Sequence, residues 1–285
     1  MPQEVVSSIA HVKDIVTQTR DSVPPSEPRV VLVTGAAGGI GAAVTRRLAR
    51  DGWRVLAVDL DGDDIHALQS SAEMEDSMST AELDVSDSAA VQDFADRLRE
   101  EEVVVWGLVN VAGVLQDVES LLTMDPKTSR HVWEVNYFGA LNCVRAFAPL
   151  MIDHGGGSIV HITSINEVRP LPLHAYAPAK AALGAATTLA AGELGRFGIR
   201  VNAVAPGFTL TPNLQKRIAT GARDASEMVA HSALGRLVEP AEVAAVVSFL
   251  LSDDASAVTG TSIPVDAGWL ASSHWMDFGG RLASS

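Results

Sequence analysis

From residue 29 onward the chain alternates short unbroken apolar runs with longer stretches in which apolar residues recur every three or four positions. An unbroken run leaves no wet face and reads as a parallel strand covered on both sides, whereas the wider spacing reads as a helix with one buried stripe. The runs at 30–33, 54–60, 80–85, 103–114, 158–165, 199–205 and 261–266 are the expected strands. Helical spacing fills 42–50, 61–74, 88–102, 125–152, 175–196 and 240–251, with Gly52 and Gly155 to Gly157 as breaks. Regular strand–helix alternation implies a Rossmann-type, doubly wound parallel sheet of about seven strands in a three-layer α/β/α arrangement.

Length adds a boundary to this picture. The 285 residues suit one large α/β domain over 29–285, preceded by an extension at 1–28. Within that extension Val5, Ile9, Val12 and Val16 lie at helical spacing and a proline-rich linker follows. The stretch 211–231 is only weakly periodic and is expected to lie in a substrate lid covering about 208–235. Apolar residues make up 47% of the chain and charged ones 20%, which suits a sizeable core and excludes wholesale disorder. The net charge of -14 argues against nucleic acid as a partner, since phosphate binding needs a basic face. The single cysteine, Cys143, sits in an apolar helical pattern and is expected to be a buried structural thiol, with no disulfide framework and no metal-ligand spacing. No apolar run is long enough for a membrane span, and the N-terminus lacks a basic stretch followed by an apolar core, so the expected compartment is the cytoplasm.

Candidate chemistry begins where the first strand ends. Gly35, Gly39 and Gly41, with Ile40 between the last two, open a helix directly after that strand. Missing side chains let a backbone turn sharply and approach a pyrophosphate, while the helix start offers free N–H groups to its oxygens. Asp59, followed by Leu60, closes the second strand about twenty residues later, where a carboxylate can accept hydrogen bonds from ribose hydroxyls. Tyr176 and Lys180 fall one turn apart on one helical face. His161 and His174 are expected to be structural or substrate-shaping, and Arg169, His174 and Trp269 are candidates to face a substrate.

Taken together these residues resemble the short-chain dehydrogenase/reductase family over 29–268. The family's TGxxxGIG loop is 34–41 here, its NNAG appears as Asn110-Val111-Ala112-Gly113, and its YxxxK is Tyr176 to Lys180. Valine at 111 departs from the usual second asparagine. The resemblance implies Asp84, with Val85 beside it, on the adenine side. It also implies Asn136 as the active-site asparagine holding a water behind Lys180, Ser164 as the catalytic serine, and Pro206, Gly207, Thr209 and Thr211 toward the nicotinamide.

The implied activity is NAD(H)-dependent hydride transfer between the nicotinamide and a secondary alcohol or ketone, in a homotetramer or at least a dimer. Free tyrosine ionises near pH 10, so Tyr176 needs help to act as an acid/base. Lys180 and an oxidised nicotinamide are expected to lower its pKa by roughly one to three units. NAD is expected over NADP, because Asp59 would repel a 2'-phosphate and no basic residue lies in 34–41 to offset it. Counting back from the tyrosine in relatives points to Thr163, whereas the paired hydroxyls closing the strand point to Ser164, which is the assignment adopted. A nucleotide-bound regulator or scaffold on the same fold is the alternative.

Overall fold

The run Val30–Val33 becomes the body of β1 (Val30–Thr34), inside a seven-stranded parallel sheet of order β3-β2-β1-β4-β5-β6-β7. The other strands are β2 (Arg54–Asp59), β3 (Met78–Glu82), β4 (Val105–Asn110), β5 (Gly157–Ile162), β6 (Ile199–Pro206) and β7 (Ser262–Val265). The helices are α1 (Gly39–Arg50), α2 (Gly62–Ser70), α3 (Ser88–Glu100), α4 (Pro126–Trp133), α5 (Ala140–Asp153) and α6 (Tyr176–Leu194). Beyond them come α7 (Pro212–Ala219), α8 (Ser226–Ala230), α9 (Pro240–Leu251) and α10 (Trp269–Ser272). This computed structural model describes residues 29–70 and 77–274; the helix expected within 1–28 and the end of the C-terminal tail lie outside the described residues.

Alternating strand side chains build two cores. Val31 and Val33 turn to one face, where Val44 and Leu48 of α1 and Val243, Val247 and Leu250 of α9 meet them. Leu32 turns to the other, where Phe94 and Leu98 of α3 and Phe147 and Met151 of α5 pack. Each such side chain stabilises the fold by about 1.5–3 kcal/mol relative to its exposed state. Cys143 is buried in the second core, and desolvation pushes its thiol up to about 12, which makes it inert as a nucleophile. Strand order reverses between β1 and β4, so a crevice opens at their carboxyl ends.

Several elements differ from their expected bounds. Pairing of β4 stops where Asn110 meets Thr34 and His161, and pairing of β5 stops at Ile162 with Val204. Residues 111–114 and 164–165, expected in strands, therefore leave the sheet and enter the crevice, while the Thr163 N–H still donates to Val204 O at 2.8 Å. The third strand starts two residues and ends three residues earlier than expected, because Val55 to Asp59 of β2 pair with Met78 to Glu82, and Asp84 falls past its end. The helix expected over 125–152 is broken by a π-helical turn, Glu134–Gly139. Within that turn Asn136 donates its side-chain N–H groups to Val132 O and Val114 O, both at 2.8 Å. The helix expected over 61–74 is α2, with 71–76 outside the described residues. The weak helix of the lid is two short ones, α7 and α8, separated at Gly221, whose φ of +71° ends the first.

Candidate active site

The glycine loop is shaped by what it must approach. Gly35 has φ +61°, and a Cβ there would stand 2.7 Å from Ala112 Cα. A Cβ on Gly41 would overlap the Gly35 carbonyl, and one on Gly39 would meet Thr211 Cβ at 2.8 Å, so the root of the lid rests on the loop. Thr34 Oγ1 accepts the N–H groups of Val111 and Ala112, each at 3.2 Å, and ties the loop after β1 to the one after β4. Helix α1 has Gly38 at its N-cap, no side-chain cap and no acidic residue in its first turn, which leaves the unpaired N–H groups of that turn to an anion.

One cleft of about 1510 Å³ runs from this loop to the lid. At the loop end Asp59 Oδ2 accepts the Ala37 N–H and Oδ1 the Leu60 N–H, both at 2.8 Å, so strand and glycine loop hold the carboxylate jointly. Leu60, Asp61, Gly62 and Glu82 surround it. Asp84 and Val85 also line the cleft, with Asp84 Oδ1 accepting from the N–H and hydroxyl of Ser86 at 2.8 and 2.6 Å. Gly35, Gly39, Ile40, Gly41, Ala112, Gly113, Pro206, Gly207, Thr209 and Thr211 face the same space. Asn110 does not. Its side chain turns into the sheet and donates to His161 Nδ1 at 3.1 Å, opposite its register partner on β5, so it supports the cleft without lining it.

Ser164, Tyr176, Lys180 and Asn136 converge at the other end. Lys180 is 4% exposed; its Nζ donates to Ile162 O at 2.8 Å and lies 5.7 Å from the Tyr176 ring centre. Burial pulls its pKa down to about 8, opposed by the charge of Glu167. Glu167 packs into the notch left by Gly184, where a Cβ would lie 2.7 Å from Oε2. Gly113 separates Asn136 from Lys180: a Cβ there would stand 2.7 Å from Asn136 Oδ1 and 3.5 Å from Lys180 Nζ.

The expected depression of the Tyr176 pKa is not found in the protein alone. Burial of the phenol raises it, and the hydrogen bond with Ser164 opposes that rise. Thr163 points away, donating to Val204 O at 3.1 Å, so Ser164 is the hydroxyl beside Tyr176. Asn136 presents a buried Oδ1 with no hydrogen-bond partner among the described residues and commits its amide nitrogen to the backbone. Phe208 and Trp269 stack edge to face at 5.5 Å, and Arg169 sits 5.8 Å over the Trp269 ring. Arg169 and Trp269 face the cleft as expected, whereas His174 is exposed outside it.

Two contributors escape sequence reasoning. Gln116 Oε1 accepts the N–H groups of Ala175 and Tyr176 at 2.6 and 2.9 Å, capping α6, which has no local side-chain cap. The second is Asn166, which holds Ser164. Gln116 lies far from α6 along the chain, and no local pattern signals the contact.

Residues 35–270 match the family model described as Enoyl-(Acyl carrier protein) reductase. The chain is 36% identical over 244 residues to a 3-oxoacyl-[acyl-carrier-protein] reductase of Thermotoga maritima, covering 85% of this chain and 98% of that one. It is 38% identical over 254 residues to the (3R)-3-hydroxyacyl-CoA dehydrogenase of Mus musculus, covering 84% and 95%. Among solved structures, a putative NAD(P)-dependent gluconate 5-dehydrogenase from Beutenbergia cavernae with bound NADP at low occupancy superposes with a TM-score of 0.79. It shares 34% identity and covers 86% of this chain and 97% of its own.

Proposed function

Since the chain belongs to the short-chain dehydrogenase/reductase family, we propose that it is an NAD(H)-dependent oxidoreductase acting on a secondary alcohol or the matching ketone. The observation that carries this reading is the meeting of Ser164, Tyr176 and Lys180 at one end of a cleft whose other end is the glycine loop. The loop fits a dinucleotide: Gly35, Gly39 and Gly41 sit where a Cβ would collide, and the uncapped start of α1 faces the crevice.

The nicotinamide supplies or accepts the hydride when bound. Tyr176 handles the proton: its phenolate takes the alcohol proton in oxidation, and its phenol returns one to the substrate oxygen in reduction. Ser164 holds that oxygen. Lys180 places a positive charge near the Tyr176 ring and favours phenolate, while burial favours phenol. With an oxidised nicotinamide bound, Tyr176 would gain a further nearby positive charge, which would favour its base form in the oxidising direction.

The choice of NAD over NADP is supported by Asp59, with Asp61 and Glu82 nearby. A 2'-phosphate approaching this rim meets like charge. The test is turnover of NAD, NADH and their phosphorylated forms with a panel of cyclic, aromatic and sugar alcohols and ketones, comparing wild type with Tyr176→Phe. Substrate-dependent turnover lost in the variant supports the reading. Tyr176→Phe turning over as fast as wild type, or no turnover of any panel member by folded protein that binds NAD, defeats it.

A further inference from the structure

The hydroxyl of Ser164 is tied from one side. Its Oγ accepts the backbone N–H of Asn166 at 3.2 Å and the side-chain amide N–H of the same residue at 3.0 Å. A serine hydroxyl has two acceptor lone pairs and one proton, so both lone pairs are taken and only the proton remains to be given. Ser164 and Asn166 are 5% and 6% exposed, which limits competition from solvent for these positions.

The direction of the Asn166 amide is itself fixed. Its Oδ1 accepts the Leu171 N–H at 2.8 Å. A backbone N–H can only donate, so the amide oxygen must face Leu171 and the amide nitrogen must face Ser164. Polarity therefore runs one way, from Leu171 N–H through the Asn166 amide to Ser164 and on to the neighbouring phenol. The same bond straps the loop between Ser164 and α6.

We propose that Asn166 is a positioning residue that locks Ser164 as a hydrogen-bond donor toward Tyr176 and toward the substrate oxygen. A donor is what both positions need, because negative charge develops on the substrate oxygen during transfer and on the phenol when it is deprotonated. The part concerning substrate oxygen rests on the oxidoreductase reading; the part concerning Tyr176 stands without it.

The test uses the two tyrosines of the chain, Tyr137 and Tyr176. In a Tyr137→Phe background, phenolate absorbance during alkaline titration reports Tyr176 alone. Asn166→Asp keeps the size and the oxygen that receives Leu171 but replaces the donor nitrogen by an acceptor, which draws the Ser164 proton away. The Tyr176 transition is then expected to move up by roughly one to two pH units. At neutral pH, kcat is expected to fall by about a hundredfold with KM for NAD nearly unchanged. In the ketone-reducing direction, activity recovers as the new carboxyl becomes protonated and donates again, giving a limb in the pH profile that wild type and Asn166→Ala lack.

Charge repulsion is separated from the relay by repeating Asn166→Asp on Ser164→Ala, where most of the tyrosine effect must vanish. An equal displacement in both backgrounds, or none in either, overturns the proposal. Should Asn166→Asp fail to fold, Asn166→Ala decides: with the amide donor gone a Ser164 lone pair is freed and its proton is no longer held toward the phenol, so the Tyr176 transition must rise, and a fixed or lowered transition overturns the proposal. Absence of turnover with every substrate would defeat the oxidoreductase reading while the titration still decides the role of Asn166.

Discussion

Acid should loosen this fold through one buried imidazole. His161 is 1% exposed on β5 and receives an N–H from Asn110 at Nδ1, so it is neutral with its proton on Nε2. Burial, and secondarily the charge of Lys180, pull its pKa from 6.5 to about 4. Protonation would place an N–H at Nδ1 against the Asn110 donor and a second cation near Lys180. The folded state thus binds fewer protons than the unfolded chain between the two pKa values, and stability falls with pH across that window. The contribution of the neutral, buried His161 is fully present above 6.5 and fully lost below about 4. At about 1.4 kcal/mol per pH unit the loss is about 3 kcal/mol, a large share of a typical total of roughly 5–15 kcal/mol. Urea unfolding across this pH range, for wild type and His161→Gln, isolates the effect. Glutamine offers Asn110 an acceptor without titrating, and the other acid-sensitive groups cancel in the comparison. Wild type should lose about 3 kcal/mol more than the variant over the window; parallel acid slopes would refute the reasoning.

Further predictions concern the cleft. A charge at Asp59 about 4 Å from a 2'-phosphate costs about 4 kcal/mol at an effective dielectric of 20, a factor of several hundred or more. Asp59→Ser should therefore raise the ratio of kcat/KM for NADP to that for NAD at least about tenfold, and an unchanged ratio counts against the cofactor assignment. Ser164→Ala should lower kcat by about a hundredfold with little change in NAD affinity. Thr163→Val should mainly cost stability through the lost bond to Val204 O, and the opposite ranking would show that the wrong hydroxyl has been assigned. Gly113→Ala should abolish turnover in protein that still melts cooperatively, since its Cβ would stand 2.7 Å from Asn136 Oδ1; wild-type kcat would mean that the two side chains can part without consequence.

Local periodicity and glycine spacing made the sheet, both helix layers and the glycine loop legible in advance. They worked because Val31, Leu32 and Val33 are buried on two faces, and because Gly35 and Gly41 each answer a collision inside one short segment. Boundaries were less visible where the apolar pattern outlasts the pairing: β5 ends at Ile162 although Ile165 is also buried. The π-helical turn carries Asn136, which reaches Val114 O across a loop, a contact that no local spacing encodes. The same holds for Gln116, for Asn166 on Leu171, and for Asn110, whose resemblance to a ligand-facing residue concealed its bond to His161. The Tyr176 pKa went the other way because desolvation, which requires the folded environment, outweighs the favourable neighbours in the protein alone.

The central claim is that this chain moves a hydride between an alcohol carbon and NAD with Tyr176 handling the proton. It is tested most directly by incubating the protein with NAD and a carbinol-deuterated alcohol from the panel, then recovering the cofactor for mass spectrometry. The account predicts one deuterium on the reduced cofactor from wild type, and none from a Tyr176→Phe variant that still binds NAD. Wild type that binds NAD yet transfers deuterium from no alcohol, or a Tyr176→Phe variant that transfers it as fast as wild type, would contradict the account.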